Sequence, residues 1–314
     1  PHISKVYERL IKTRLEYHLE KNRIIPVLQA GFRRGHSCTD NIVKITSHIK
    51  KAMAKRRTVM AAFYDVKRAY DSVWHGRLLF KLSKIGISGN MYNFCKSFLQ
   101  NRSFRVRSGS ALSRVETVDM GVAQGALISP IFYNIMVHDI NEVKLKNAHI
   151  TLYADDLALW SNENYKNLKS PYIQKLVCNR FQSNVDRIVE YLKLNGFDLS
   201  AEKTVFMVFN RSRFQRHNYY IKIDNHKIHS SSQVKYLGVI IDASLTWREH
   251  VKHLITKTNQ VWNLLKTLKN TEGANSKKNL VQTVRALVRS RLLYGQEAYF
   301  AASASTLAKL QAQE

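Results

Sequence analysis

Acidic residues are scarce in this chain. Asp and Glu together number 23 against 50 Lys and Arg, which leaves a formal net charge of +27 over 314 residues. That excess goes beyond what solubility requires and points to a polyanionic partner, with an anionic membrane surface as the competing reading. Long apolar runs are missing as well. No stretch approaches the roughly eighteen consecutive apolar residues of a bilayer-spanning helix, so no span is expected. Cysteine is limited to Cys38, Cys95 and Cys178, an odd number at wide spacing. This usage excludes a disulfide framework and a compact Cys-type zinc site, and it fits a reducing compartment; joined to a nucleic-acid partner, it favours the nucleus or the cytosol. Among the scattered histidines, His217, His226 and His229 come nearest to a cluster, but no Cys accompanies them and they read as surface polar residues. No signal peptide, internal repeat or low-complexity tract is visible. The opening Pro1-His2-Ile3-Ser4 carries no initiator Met, as expected of a piece cut from a longer protein.

What remains is enough for a core. Hydrophobic residues make up 45%, which excludes wholesale disorder, and the length suits about two average domains or one larger body with lobes. Helical spacing of Val6, Leu10, Leu15 and Leu19 predicts a helix over 4–20, and Ile42, Ile45 and Ile49 predict a second, capped near Thr39-Asp40 and ending near Ala54. Residues 58–66 read as a strand apolar on both faces, hence central in its sheet. Helices are expected over 74–85 and 89–99, short paired strands over 103–107 and 114–119, and a helix entered at Pro130. A hairpin spans residues 150–160, a polar linker 162–171 and a helix 173–195. Strands near 203–209, 219–223, 226–229 and 234–241 precede two long helices, 247–270 and 276–298. The pattern is a mixed α/β core followed by a helical, basic tail. Arg248, Lys252, Lys257, Lys266, Lys269, Lys277, Lys278, Arg285, Arg289 and Arg291 suit that tail to tracking phosphates, with a solvated face that has no specific ligand as the alternative.

Against so few acids, the adjacent pair Asp155-Asp156 between two strand-like runs stands out. At about 4 Å and an effective dielectric near 20, two such carboxylates repel by about 4 kcal/mol, a cost that a bound cation removes. Asp65, at the end of the buried-looking strand, is the natural third acid. Three carboxylates on neighbouring strand ends would hold two divalent cations about 3.5–4 Å apart, and hard oxygen ligands favour Mg²⁺. Phosphoryl transfer needs such a clamp more than covalent chemistry. The bland alternative makes these Asp residues ordinary strand-end and turn residues. Asp71 is expected to cap the helix beginning near Val73 or to pair with Lys67 or Arg68, and not to bind metal. Tyr70 can approach the pocket of Asp65, where its ring would exclude a ribose 2′-hydroxyl, with core packing as the default alternative. The segment Gly121 to Pro130 joins a strand to a helix and presents Gln124 as donor and acceptor, without the Gly-Lys-Ser/Thr ending of an ATPase phosphate loop. Lys203, in Leu199-Ser200-Ala201-Glu202-Lys203-Thr204, would meet a triphosphate or donate a proton to departing pyrophosphate, with simple surface solvation as the alternative.

Taken together, these segments resemble the reverse transcriptase domain of non-LTR (LINE-like) retrotransposons. Gln29 through Asp40 resembles the family's fingers signature, Phe63 through Asp71 its first catalytic segment, and Gly121 through Pro130 the segment under the templating pair. Tyr153-Ala154-Asp155-Asp156 matches its catalytic box and Leu199 through Thr204 its lysine-bearing turn. Val234 through Val239 resembles the primer grip, and Leu245-Thr246-Trp247 with the following helices the thumb. The resemblance implies an α+β right-hand polymerase with an antiparallel palm packed by helices. It divides the chain into partial fingers (1–57), palm with interspersed fingers elements and primer grip (58–245), and a helical basic thumb (246–314). It implies copying of an RNA template into DNA at a primer 3′-hydroxyl from deoxynucleoside triphosphates, with two Mg²⁺ ions, or Mn²⁺ in their place. Asp65, Asp155 and Asp156, with the Val66 carbonyl, would hold metal, and Lys203 would be a proton donor. Tyr70, Gln124, Lys67 and Arg68 would contact the nucleotide. Arg33, Arg34, Gly125, Leu237, Gly238, Lys252 and Lys257 would contact template or primer.

The departures are specific. Relatives usually carry Pro-Gln-Gly where this chain has Ala123-Gln124-Gly125, Phe-Asp where it has Tyr64-Asp65, and Phe where it has Tyr70. The start at Pro1 falls inside the fingers segment, so upstream basic residues that cover the triphosphate in the family do not appear, and neither does an endonuclease-like domain. A mobile-intron maturase-type domain and a non-catalytic RNA-binding remnant are the competing readings.

Overall fold

The computed structural model describes residues 2–163, 171–210, 219–268 and 277–312. In chain order the first elements are α1 (His2–Lys21), α2 (Cys38–Ala54), β1 (Thr58–Asp65), α3 (His75–Lys84), α4 (Gly89–Leu99), β2 (Arg102–Phe104), β3 (Arg107–Ser108), β4 (Ala111–Leu112), β5 (Glu116–Val118) and α5 (Ser129–Met136). Next come β6 (Ala148–Tyr153), β7 (Asp156–Glu163), α6 (Pro171–Leu194), β8 (Val205–Phe209), β9 (Tyr220–Ile223), β10 (His226–Ser231), β11 (Gln233–Tyr236) and β12 (Val239–Asp242). The chain closes with α7 (Arg248–Leu268), α8 (Lys277–Val284), α9 (Ser290–Leu293), α10 (Gln296–Tyr299) and α11 (Ala304–Gln311).

Strand β1 organises the molecule. It is buried throughout except at Asp65, and its side chains alternate between two apolar layers, as a two-residue period requires. Val59, Ala61 and Phe63 join a layer with Ile42, Ile45, Ile49 and Trp160, whereas Met60, Ala62 and Tyr64 join one with Phe132, Phe181, Val185 and Phe206. The six-stranded sheet runs β6-β7-β1-β8-β10-β9; only β8 and β10 pair in parallel. Helix α6 covers one face through the buried stripe Val177, Phe181, Val185, Ile188 and Leu192, each such side chain contributing about 1.5–3 kcal/mol when fully removed from water. Helix α2 covers the other. Its N-cap is Ser37, which closes a capping box with Asp40, two residues before the Thr39 of the expected cap.

Several sequence expectations are corrected. Helix α1 forms, but it buries Ile11, Leu15 and Leu19, while Val6 and Leu10 are 62% and 58% exposed. Positions 6 and 10 lie about 200° round the helix from Glu8, which faces inward. The single strand expected over 234–241 is the hairpin β11–β12, because Leu237 and Gly238 have φ of 45° and 79°. That pair of left-handed residues makes a tight two-residue turn. The last long helix breaks at Gly295, whose φ is 70°. Asn162 and Glu163 extend β7 against Val59 and Thr58; residues 164–170 of the expected linker lie outside the described residues, as do His217, Lys269 and the expected break at 272–275. His226 and His229 are exposed on β10. Among the described residues, no helix is long and apolar enough to cross a membrane.

Candidate active site

Register places the acids. Asp65, the last residue of β1, lies directly opposite Asp156, the first residue of β7, and Tyr153 pairs with Asp156 to close the β6–β7 hairpin over Ala154 and Asp155. All three carboxylates therefore sit at one end of the central strands. Burial pushes the Asp156 carboxyl up to about 6, and the charges of Asp155 and then Asp65 push in the same direction. Ala154 holds the turn with φ of 56°, a left-handed conformation that costs a non-glycine residue about 1–2 kcal/mol.

A second segment crosses the end of β1. Leu199 bridges Val66, the Lys67 amide donates to the Asp198 carbonyl at 2.8 Å, and the Ser200 amide donates to the Asp65 carbonyl at 2.9 Å. This crossing brings Lys203 Nζ within 3.5 Å of Asp65 Oδ2. Both side chains reach solvent, so the pair itself adds no more than about 1 kcal/mol. In the same crossing, no backbone amide of the described residues donates to the Val66 carbonyl, which leaves it available as an oxygen ligand. Lys67 and Arg68 are exposed on the loop that follows.

Tyr70 and Gln124 are brought together by backbone. The Val122 amide donates to the Tyr70 carbonyl at 2.8 Å and the Gly121 amide to the Val73 carbonyl at 2.7 Å. Glycine is required at 121: a Cβ there would lie 2.7 Å from the Asp71 carbonyl oxygen, and φ is +85°. The Tyr70 ring stacks on Tyr133 at 5.8 Å and meets Phe32 edge-on at 6.5 Å. Burial, helped by the charge of Asp155, pushes its phenol up to about 12, so the ring faces the carboxylate end as a neutral group. Asp71 departs from both expected roles. Helix α3 starts after Trp74 with no side-chain cap, and Asp71 instead accepts from Gln124 Nε2 at 3.1 Å. Helix α1 pins the rest of this loop: Lys5 Nζ donates to the Gly125 carbonyl at 2.9 Å, and Glu8 accepts from the Leu127 amide at 2.8 Å.

Of the two arginines expected at the template, Arg33 is committed inward. Its Nε and Nη2 donate to Glu20 at 2.8 and 2.7 Å, and Nη1 donates to the Pro26 and Gln29 carbonyls at 2.9 and 3.0 Å. With 10% of its side chain exposed, it fixes the 26–33 loop; Arg34 is the arginine that faces solvent. The Leu237-Gly238 turn sits against the C-terminal helices, where the Tyr294 hydroxyl donates to the Leu237 carbonyl at 2.8 Å. Burial raises the Tyr294 phenol, with Cys38, Tyr153 and Asp156 contributing. Lys252 and Lys257 are exposed on α7, and no contact ties them to the carboxylates.

Sequence reasoning missed the residues that hold the hairpin. Gln29, 0% exposed, accepts at Oε1 from the Ala154 and Gly31 amides at 3.0 and 2.8 Å, and its Nε2 donates to the Ala154 carbonyl at 3.3 Å. Asn41 Nδ2 donates to the Leu152 carbonyl at 2.8 Å, and Asn134 Nδ2 to the Gly31 carbonyl at 3.0 Å. The only available signal was that Gln29 and Gly31 stand in the segment resembling the fingers signature.

Comparison with known proteins agrees with this geometry. Residues 1–241 match the family model described as Reverse transcriptase (RNA-dependent DNA polymerase). The chain is 29% identical over 256 residues to a probable RNA-directed DNA polymerase from transposon BS of Drosophila melanogaster, covering 80% of this chain and 27% of that protein. It is 28% identical over 324 residues to the RNA-directed DNA polymerase from mobile element jockey of Drosophila funebris, covering 99% of this chain and 33% of that one. The chain thus spans about a third or less of the length of these relatives. Among solved structures, a Candida tropicalis telomerase in complex with a TWJ fragment of telomeric RNA aligns with a TM-score of 0.51 at 13% identity, over 99% of this chain and 47% of that one. At that identity the likeness shows the fold alone, and the fold is that of a reverse-transcriptase palm. The chain belongs to the reverse transcriptase (RNA-dependent DNA polymerase) family, with its sequence relatives among the enzymes of non-LTR retrotransposons.

Proposed function

We propose that this chain is the polymerising domain of an RNA-directed DNA polymerase, extending a primer 3′-hydroxyl on an RNA template with deoxynucleoside triphosphates. The observation that carries the reading is the register of Asp65 opposite Asp156 with Asp155 at the adjoining tip. Among the described residues no three His, Cys, Asp or Glu side chains converge as a ready-made metal-ligand set, so the carboxylates would swing together to hold a cation. Their chemistry fits one: hard oxygen donors, an available Val66 carbonyl and a carboxyl raised by burial and then by the charges of Asp155 and Asp65. Two divalent cations, Mg²⁺ or Mn²⁺, would favour the ionised primer oxygen and offset charge on the triphosphate and departing pyrophosphate.

The chain's own residues do the rest. Tyr70 is the gate that excludes a ribose 2′-hydroxyl, a reading supported by its ring being held against Tyr133 and Phe32. Gln124, held from one side by Asp71, presents its remaining amide valences to the nucleotide or template. Lys67 and Arg68 offer positive charge to the triphosphate. Lys203 gives up its contact with Asp65 to donate a proton to pyrophosphate as the bond to the α-phosphorus breaks. Arg34 and Gly125 serve the template, Leu237-Gly238 grips the primer, and Lys252 and Lys257 track the duplex backbone. On this reading residues 1–57 form part of the fingers, 58–245 the palm and 246–314 the thumb, and any endonuclease belongs to a longer protein. Primer extension on RNA with Mg²⁺ tests it. The wild-type chain should add deoxynucleotides and Asp155→Asn should lose several orders of magnitude in rate; equal extension by both would falsify the assignment.

A further inference from the structure

The tip of the catalytic hairpin does not support itself. Ala154 sits in a left-handed conformation immediately before Asp155, and the backbone preference of an alanine opposes it. What holds it comes from the loop between α1 and α2. Gln29 grips both polar atoms of Ala154, accepting from the amide and donating to the carbonyl, and ties the same oxygen to the Gly31 amide. Its amide is fully buried, so each of these bonds is made without competition from water. Gly31 makes the approach possible: a Cβ there would lie 2.2 Å from the Ala154 nitrogen, inside any tolerable contact. Further along, Leu28 to Ala30 runs as a short parallel partner of Leu152, and Asn41 bonds both the Leu152 carbonyl and Thr151. The loop therefore acts as a mould for residues 152–154, and the two carboxylates that follow inherit their direction from it.

We propose that Gln29 is a positioning residue for nucleotide addition: by fixing both polar atoms of Ala154 it aims Asp155 and Asp156. Gln29 touches no reacting atom. Its effect passes through one peptide unit into the side chains that would hold the cations, and it rests on the polymerase reading above. Residues in this relation to metal ligands typically change metal affinity or rate by about 10- to 100-fold.

Two variants test this in the whole chain. Gln29→Met keeps volume and removes all three bonds; Gly31→Ala keeps every hydrogen-bonding side chain and pushes Ala154 away. Four quantities are measured: single-turnover incorporation on a primer–RNA template against Mg²⁺ concentration, Mn²⁺ binding to the same complex by its EPR signal, primer–template affinity and Tm. Expected in both variants is a rate lower by about 10- to 100-fold and Mn²⁺ binding weakened by a similar factor, with primer–template affinity within about twofold. Unchanged rate and Mn²⁺ affinity overturn the proposal. So does a loss that merely follows Tm and primer–template affinity downward in both variants, which is the signature of a structural role. If the wild type fails to extend primers but binds Mn²⁺, the polymerase reading falls, and the difference in Mn²⁺ affinity still decides for or against Gln29. A wild type that binds no Mn²⁺ overturns both.

Discussion

Lys81 and Asp139 meet at 2.8 Å beneath α3, and the pair is completed by the Met136 carbonyl on the lysine at 2.5 Å and the Tyr191 hydroxyl on the carboxylate at 2.5 Å. About the end of β1, exposed Lys203 meets Asp65 at 3.5 Å, and among the described residues no ion pair reaches Asp155 or Asp156. In the first group each charge has an opposite within hydrogen-bonding distance, and the bonds from Lys81 and Tyr191 hold the Asp139 carboxyl below its usual range against the upward push of burial. In the second, burial and like charge combine to push Asp156 up to about 6. One arrangement is complete with the chain's own atoms and serves the fold. The other leaves negative charge for something outside the chain to satisfy, which is how a binding site differs from a structural ion pair.

The largest effect should come from breaking the completed group. Lys81→Met strands Asp139 and should cost about 3–5 kcal/mol in chemical denaturation, while the rate of incorporation per folded molecule stays the same. Unaltered stability would show that the pair is not the structural member of the comparison. Next is Tyr70, the proposed nucleotide gate. Tyr70→Ala should relax discrimination against ribonucleotides by about 10- to 100-fold, read as the ratio of kcat/KM for deoxy- and ribonucleotides; an unchanged ratio removes Tyr70 as the gate. Smaller, and opposite in sign to the first, is Asp156→Asn. Because the folded-state carboxyl titrates near 6 against an ordinary 3.8, the folded chain binds more protons between those values and loses stability as pH rises through them. Asparagine removes that loss. The variant should match wild type near pH 4 and exceed it above pH 6 by about 1 kcal/mol, a figure discounted because the side chain, though partly desolvated, still reaches solvent, while incorporation disappears. A variant less stable than wild type at pH 8 would contradict the electrostatic account.

The sequence made the chemistry legible because chemistry depends on residue type. Asp65, Asp155 and Asp156 are conspicuous in a chain so poor in acids; Lys203 meets Asp65 beside the crossing at 198–200, and backbone bonds from 121–122 tie the Gln124 loop to the Tyr70 segment. Central β1 was readable because it is apolar on both faces. What escaped depends on partners distant in sequence. Arg33 looks like a basic nucleic-acid contact until Glu20 is seen to hold it. Gln29 is an unremarked polar residue until Ala154, 125 positions later, is folded onto it. Asp71 reads as a helix cap because local rules know nothing of Gln124, 53 positions away. Local backbone conformation explains the rest: Leu237-Gly238 and Gly295 interrupt apolar patterns that hydrophobicity alone carries straight through.

The most direct test of the contrast is the Tm of the wild-type chain on an RNA template, with a primer lacking its 3′-hydroxyl and the next deoxynucleoside triphosphate present, as Mg²⁺ is titrated at pH 8. The account predicts that Tm rises with Mg²⁺, by an amount equivalent to about 2.7 kcal/mol once the ion reaches a hundred times its dissociation constant, and that the rise vanishes when Asp65 and Asp156 are both replaced by Asn. A Tm indifferent to Mg²⁺ in the wild type, or an equal rise in the double variant, would contradict it.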